Sequence, residues 1–202
     1  MPAPSRLTDR KREAIVRAAV VAFRTAGFEA TSMDQVAADA GVSKRTVYNH
    51  FPSKDALFGE ILRALWDRIT ASVDLPYAPG QPLDAQLRQL LGQKLALLGD
   101  PDAIDLARVA MAEIIRNPER ARDIVARMDE KEEGVTAWIR AAHADGRLRD
   151  VDPAFAAMQL QGLVKGFAFW PQVTMGAPPL DGAARARVAD AAVAMFLGHY
   201  AA

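Results

Sequence analysis

Not one cysteine occurs in the 202 residues. Structural disulfides, thiolate nucleophiles, Cys-ligated zinc and iron–sulfur clusters are excluded together. Histidine is nearly as scarce. The three copies, His50, His143 and His199, belong to no His-Glu-x-x-His motif. Neither a Gly-rich phosphate loop nor a Gly-x-Ser-x-Gly elbow occurs. No metal site and no cofactor is expected, and an all-helical enzyme would need chemistry that these residues do not offer. Asp100, Asp102 and Asp105 lie close together, but Asp100-Pro101 reads as a helix start, where acidic groups favour the dipole. Glu130, Glu132 and Glu133 read as a solvated face. No apolar run approaches the roughly 18 residues of a membrane helix. Met1–Arg12 is basic and lacks the apolar centre of a signal peptide. The expected compartment is the cytoplasm, with no membrane association.

Net charge is also missing: 25 basic residues balance 25 acidic ones. The balance is uneven along the chain. Residues 1–54 hold nine Lys/Arg against five Asp/Glu, and residues 55–202 hold sixteen against twenty. A basic first quarter on an acidic remainder points to one end that meets an anion. With 50% apolar and 25% charged residues the chain has the composition of a folded protein of one to one and a half domains.

Apolar residues recur at three- and four-residue steps nearly throughout, so the reading is all-α, with about nine helices and no strand. A first helix spans about Thr8 to Ala26 and ends at Gly27. Ser32 with Gln35 forms a capping box for the second, which Gly41 stops. The third runs from Ser43 to near Phe51, ahead of Pro52. A fourth follows Ser53. Pro76, Pro79, Gly80 and Pro82 mark a turn or linker. Asp100-Pro101, Asn117-Pro118 and Asp152-Pro153 each restart a helix with a cap and a first-turn proline. The seventh helix is expected over about Pro118 to Ala144, and Pro171 should kink or end the eighth.

The second and third helices are short and joined by Gly41-Val42-Ser43, a helix-turn-helix pattern. In the third, Val47 and Phe51 lie one turn apart and can pack on Val36 and Val42. Lys44, Arg45, Thr46, Tyr48, Asn49 and His50 then point outward. These cations, hydroxyls and amides bond phosphate oxygens and base edges, and the helix start at Ser43 presents free N–H groups. An ordinary solvated helix is also polar. The exposed Tyr48 and the lack of any acid from Val42 to Lys54 favour nucleic acid.

The stretch from Ala22 to Phe58 carries Phe23, Gly27, Phe28, Thr31, Val36, Ala37, Ala40-Gly41-Val42-Ser43, Tyr48, Phe51 and Lys54 in order. It closely resembles the DNA-binding domain of the TetR family of bacterial transcriptional regulators. The resemblance implies a DNA-binding domain over 1–54 and a helical effector-binding and dimerisation domain over 55–202. It implies phosphate contacts from Thr31, Ser32 and Lys54, base contacts from Lys44, Arg45 and Thr46, and backbone contacts from Tyr48 and His50. Ser43 and Asn49 complete the expected surface. Arg6, Arg10, Lys11 and Arg12 form a basic arm, which reads equally as a minor-groove contact or a solvated tail.

Later residues resemble the AefR-type C-terminal domain: Glu113 in an apolar helix, Asp145-Gly146-Arg147-Leu148, Asp152-Pro153, and an aromatic-rich end to the eighth helix. By resemblance, helices four to seven enclose a cavity for a small apolar or aromatic effector. Its candidate lining is Leu62, Trp66, Leu95, Met111, Ile115, Trp138, Phe167 and Trp170, each of which also reads as ordinary core. The last two helices are expected to pair in a homodimer through Phe155, Gly162, Gly166, Val188, Ala192, Met195 and Phe196. The partners implied are a palindromic double-stranded operator, the effector and a second copy of the chain. A competing reading keeps the helix-turn-helix but answers to a protein partner. An activator would carry the same residues as a repressor.

Overall fold

The structure, a computed structural model, describes residues 4–71, 75–119, 122, 134–149 and 152–202. Among these residues ten helices occur: α1 (Pro4–Ala26), α2 (Met33–Asp39), α3 (Lys44–His50), α4 (Lys54–Ala71), α5 (Leu83–Leu97), α6 (Pro101–Arg116), α7 (Gly134–Ala144), α8 (Pro153–Ala168), α9 (Trp170–Met175) and α10 (Gly182–Tyr200). The all-α reading holds. The tenth helix arises where the expected eighth is broken in two at Phe169, two residues ahead of Pro171, which sits in the first turn of α9. A ring without an N–H cannot continue the α8 ladder. Most of the expected seventh helix before Gly134 lies outside the described residues.

Helix starts follow their caps. Ser32 accepts from Gln35 N at 3.1 Å, Asp152 from Ala154 N at 2.9 Å, and Asp181 from Ala184 N at 2.7 Å. The Ser32 box is only half made, because the Gln35 amide donates to Asp39 at 2.7 Å instead of turning back. α1 begins at Pro4, four residues before the expected start. The basic arm is thus helical, and Arg12 in it donates to Glu60 at 2.7 Å and lies over the Phe51 ring at 4.5 Å.

Contacts group the described residues into two compact units. One draws on residues 1–66 and 105–128, the other on 67–104 and 129–202. In the first, Phe23, Phe28 and Phe58 form an aromatic cluster with ring centroids 5.2 to 6.5 Å apart. Ile15, Ala19, Val36, Val47, Phe51, Leu57 and Ile61 complete its core, with Leu106, Val109 and Ala110 from α6. The edges of this core are pinned by charge. Arg24 pairs with Asp105. Glu60 takes Arg12 at 2.7 Å and Arg63 at 2.5 Å. Burial opposes the ionisation of Glu60, but the Arg63 hydrogen bond and the charges of Arg12 and Arg63 outweigh it, so its carboxyl is held below its ordinary value.

The second unit has a leucine-rich core: Leu87, Leu90, Leu91 and Leu95 of α5 meet Trp138 and Ile139 of α7, Leu160 and Val164 of α8, and Val193 and Phe196 of α10. Two buried amides serve its backbone. Gln86 accepts from Ala78 N at 2.8 Å and from Trp138 Nε1 at 3.2 Å, and donates to Ala78 O and Gln81 O. Gln172 of α9 donates to Leu98 O at 2.7 Å and to Ala168 O. Tyr77 crosses the Trp138 ring edge-on and donates to Asp145 at 2.6 Å. Leu148 and Ala201 form an isolated antiparallel bridge beside α10.

Phe58→Ala should destabilise the chain by about 3–5 kcal/mol in urea unfolding, since the two remaining rings cannot fill the space. Glu60→Gln should cost about 1–2 kcal/mol at neutral pH. A depressed folded-state pKa contributes stability above the ordinary carboxylate range and loses it as pH falls through the folded value. The gap between Glu60→Gln and the parent should therefore close in unfolding curves taken in acid.

Candidate nucleic-acid interface

α2 and α3 are each seven residues long. Neither is long enough to hold itself helical in water, so their geometry comes from the turn and from the core beneath. Gly41 has φ +65°, a left-handed conformation that side chains disfavour. This lets Gly41 N reach Ala38 O at 3.1 Å and Val42 N reach Ala37 O at 3.0 Å, which closes α2. Ser43 then opens α3, accepting from Thr46 N at 3.2 Å while its hydroxyl meets that of Thr46 at 2.8 Å. On the inner face of α3, Val47 and Phe51 are fully buried against the first unit's core, with Val42 packed at its rim.

The outer face is what remains. Lys44, Arg45, Tyr48 and Asn49 are exposed, with Thr46 and His50 half-buried beside them. His50 tilts against the Phe51 ring. Tyr48 is 43% exposed, unusual for a tyrosine with a buried core so near. Ser32 sits exposed at the start of α2.

Two residues expected beside them have internal partners instead. Thr31 is 4% exposed, and its hydroxyl donates to Gly27 O at 2.8 Å. The Lys54 ammonium donates to Phe28 O at 2.7 Å, Glu29 O at 3.1 Å and Thr31 O at 3.1 Å, and rests 4.5 Å above the Phe28 ring. An ammonium has three donors, and here three carbonyls take them. Together these two residues tie the loop between α1 and α2 to the start of α4. The residue that sequence reasoning missed is Asp34. It reaches across from α2 to Lys44 at 2.9 Å, with side chains 60% and 62% exposed. The hydrogen bond and charge of Asp34 raise the Lys44 pKa above its ordinary value. No periodicity signals a pair on two different helices.

The candidate effector residues are scattered. Leu62 is buried in the first unit and Leu95 in the second, and Met111 is half-buried. Trp138 is a core residue at 1% exposure, while Ile115, Phe167 and Trp170 are exposed. The side chain of Trp66 lies outside the described residues. Among the expected interface residues, Ala192 and Phe196 are buried within their own chain and Val188 is half-buried. Phe155, Gly162, Gly166 and Met195 are exposed.

Residues 15–61, which hold the helix-turn-helix, match the family model of bacterial regulatory proteins of the tetR family. Residues 85–202 match that of the AefR-like transcriptional repressor C-terminal domain. The chain belongs to the TetR family. Its relatives include the HTH-type transcriptional regulator RutR of Escherichia coli strain K12, 32% identical over 84% of this chain and 79% of RutR. A TetR-family regulator from Pseudomonas syringae pv. tomato DC3000 is 50% identical, with TM-score 0.86 over 95% of this chain and 96% of that one. The flavonoid-responsive regulator FrrA is 30% identical, with TM-score 0.72 over 96% and 98%. The protein is thus a DNA-binding transcriptional regulator of repressor type, and its homologues are regulators, not enzymes.

Lys54→Met should lower stability by about 1–3 kcal/mol, because it strips three loop carbonyls, two of them part-buried, of their charged donor. A residue that only braces the fold leaves the salt dependence of DNA binding alone, whereas a phosphate contact would lower that slope by about one. Anisotropy titrations over a range of salt should show an unchanged slope.

Proposed function

We propose that this TetR-family regulator is a homodimeric, ligand-responsive repressor of a palindromic operator, working in the cytoplasm. Residues 1–54 carry the DNA-binding function, and residues 55–202 carry effector binding and dimerisation. The observation that carries the reading is the outer face of α3. Ser43, Lys44, Arg45, Thr46, Tyr48, Asn49 and His50 present cations, hydroxyls and an amide from a helix whose other face is locked into the core. With Ser32 they form the DNA-contacting surface. Thr31 and Lys54 position it from beneath. Among the described residues no helix is long and apolar enough to cross a membrane, which fits the cytoplasmic assignment.

The dimer rests on exposed apolar surface. Phe155, Met158 and Phe167 on α8 are 56%, 69% and 62% exposed, and Met195 on α10 is 62% exposed. On α8 the exposed positions 155, 158, 162 and 166 follow three- and four-residue steps, a stripe along one face. Gly162 and Gly166 hold no side chain there, and a Cβ added at either meets nothing within 4 Å in the single chain. A monomer rarely leaves such a stripe in water. A two-fold pair places two recognition helices one DNA turn apart, about 34–36 Å, as a palindrome requires.

The effector class we propose is a small apolar or aromatic molecule, and the flavonoid-responsive relative FrrA supports it. α4 contributes residues to both compact units. An effector that binds one arrangement of that helix better than another would weaken DNA binding 5–150-fold for a coupling of about 1–3 kcal/mol.

Arg45→Ala and Tyr48→Ala should each weaken operator binding by about 1–3 kcal/mol in anisotropy measurements against competitor DNA. Binding that is equally weak on every sequence, before and after these changes, would sink the operator reading. Phe155→Glu with Met195→Glu should convert a dimer into a folded monomer by light scattering. A parent chain that is already monomeric at micromolar concentration contradicts the homodimer.

A further inference from the structure

We propose that Asp34 and Lys44 act as one unit that reads a G·C base pair in the major groove of each operator half-site. This rests on the operator-binding reading above. Lys44 opens α3, the end of a recognition helix that meets base edges. Asp34 stands in the first turn of α2, and its Oδ2 lies 2.9 Å from the Lys44 Nζ. Both side chains are more than half exposed, so the pair fills no core, and an exposed ion pair adds little to stability. A carboxylate facing phosphates is unfavourable unless it has another task. The other acid of α2, Asp39, sits at the far end of that helix and is held by Gln35 at 2.7 Å.

The chemistry of the pair matches one base-pair edge. Guanine offers two adjacent acceptors, N7 and O6, and cytosine offers the neighbouring N4 amino donor. The Lys44 ammonium has three donors and spends one on Asp34, leaving two for N7 and O6. The Asp34 carboxylate keeps lone pairs for the cytosine amino group. An A·T pair fits worse. Its single donor lies between two acceptors that repel a carboxylate, and the thymine methyl meets the charges. Asp34 also anchors Lys44 to α2, so the lysine is held at one place along the edge rather than drifting to the nearest phosphate.

The test begins with selection of binding sites from random DNA by the full-length chain. Affinities of the parent, Asp34→Ala and Lys44→Met are then measured on the selected site and on versions with each half-site G·C pair replaced. For the parent, one replacement should cost about 5–150-fold, the usual range for a well-made base contact. Both variants should become indifferent to that same base pair and keep their preferences elsewhere. Thermal melting should be unchanged, because both side chains are on the surface. Three results would overturn the proposal while leaving the operator reading intact: Asp34→Ala changes affinity equally on all DNAs, it changes no preference, or it relaxes a different position from Lys44→Met. A parent chain that enriches no sequence would instead overturn the operator reading and this proposal with it.

Discussion

A seven-residue helix has no stability of its own, and α3 is such a helix. Its existence depends on Val47 and Phe51 being buried. Those two side chains enter a core that the Phe23–Phe28–Phe58 cluster fills from α1, the following loop and α4. The polar outer face is a by-product of that insertion, since every residue that cannot enter the core is turned to solvent. Ordinary packing thus determines which side chains α3 presents to solvent. Lys54 and Thr31 belong to the same arrangement. By satisfying the carbonyls of the α1–α2 loop and being satisfied by them, they fix the floor on which α2 begins.

The second unit solves a different problem. Its helices are held by leucine and aromatic contacts that lack direction, and its connecting segments would leave buried carbonyls unmet. Gln86 and Gln172 supply the direction. Each side chain serves backbone groups on a segment other than its own turn of helix. A buried amide is costly without partners, so these two constrain the connections far more tightly than apolar packing would.

The helix pattern was legible because its markers are local. Ser32, Ser43 and Asp152 cap helices through bonds two or three residues away, and such bonds are written directly in residue spacing; the Asp181 cap is of the same kind but emerges only in the structure. The inward face of α3 was legible for the same reason. What escaped the sequence is non-local. Gln35 leaves the second half of its capping box unmade because its amide N–H donates to Asp39, one turn on, which turns the side chain away from the Ser32 N–H. Lys54 reads as a surface cation, yet carbonyls more than twenty residues upstream claim it. The Asp34–Lys44 pair joins two helices, so neither helix alone announces it. Ile115, Phe167 and Trp170 show the opposite failure: apolar character predicts burial, but a single chain need not bury every apolar side chain.

The setting of Trp138 has an optical consequence. Its indole N–H is held by Gln86 and its ring edge by Tyr77, which is itself tied to Asp145. An indole so enclosed emits from a dry, rigid site that a dissolved quencher cannot reach. Trp170, at 46% exposure, emits from a wet one. Once Trp66→Phe removes the third indole, the two signals separate by wavelength and by quenching, so intrinsic fluorescence distinguishes loosening of the 77–86 segment from covering of the α8–α9 surface without any attached label.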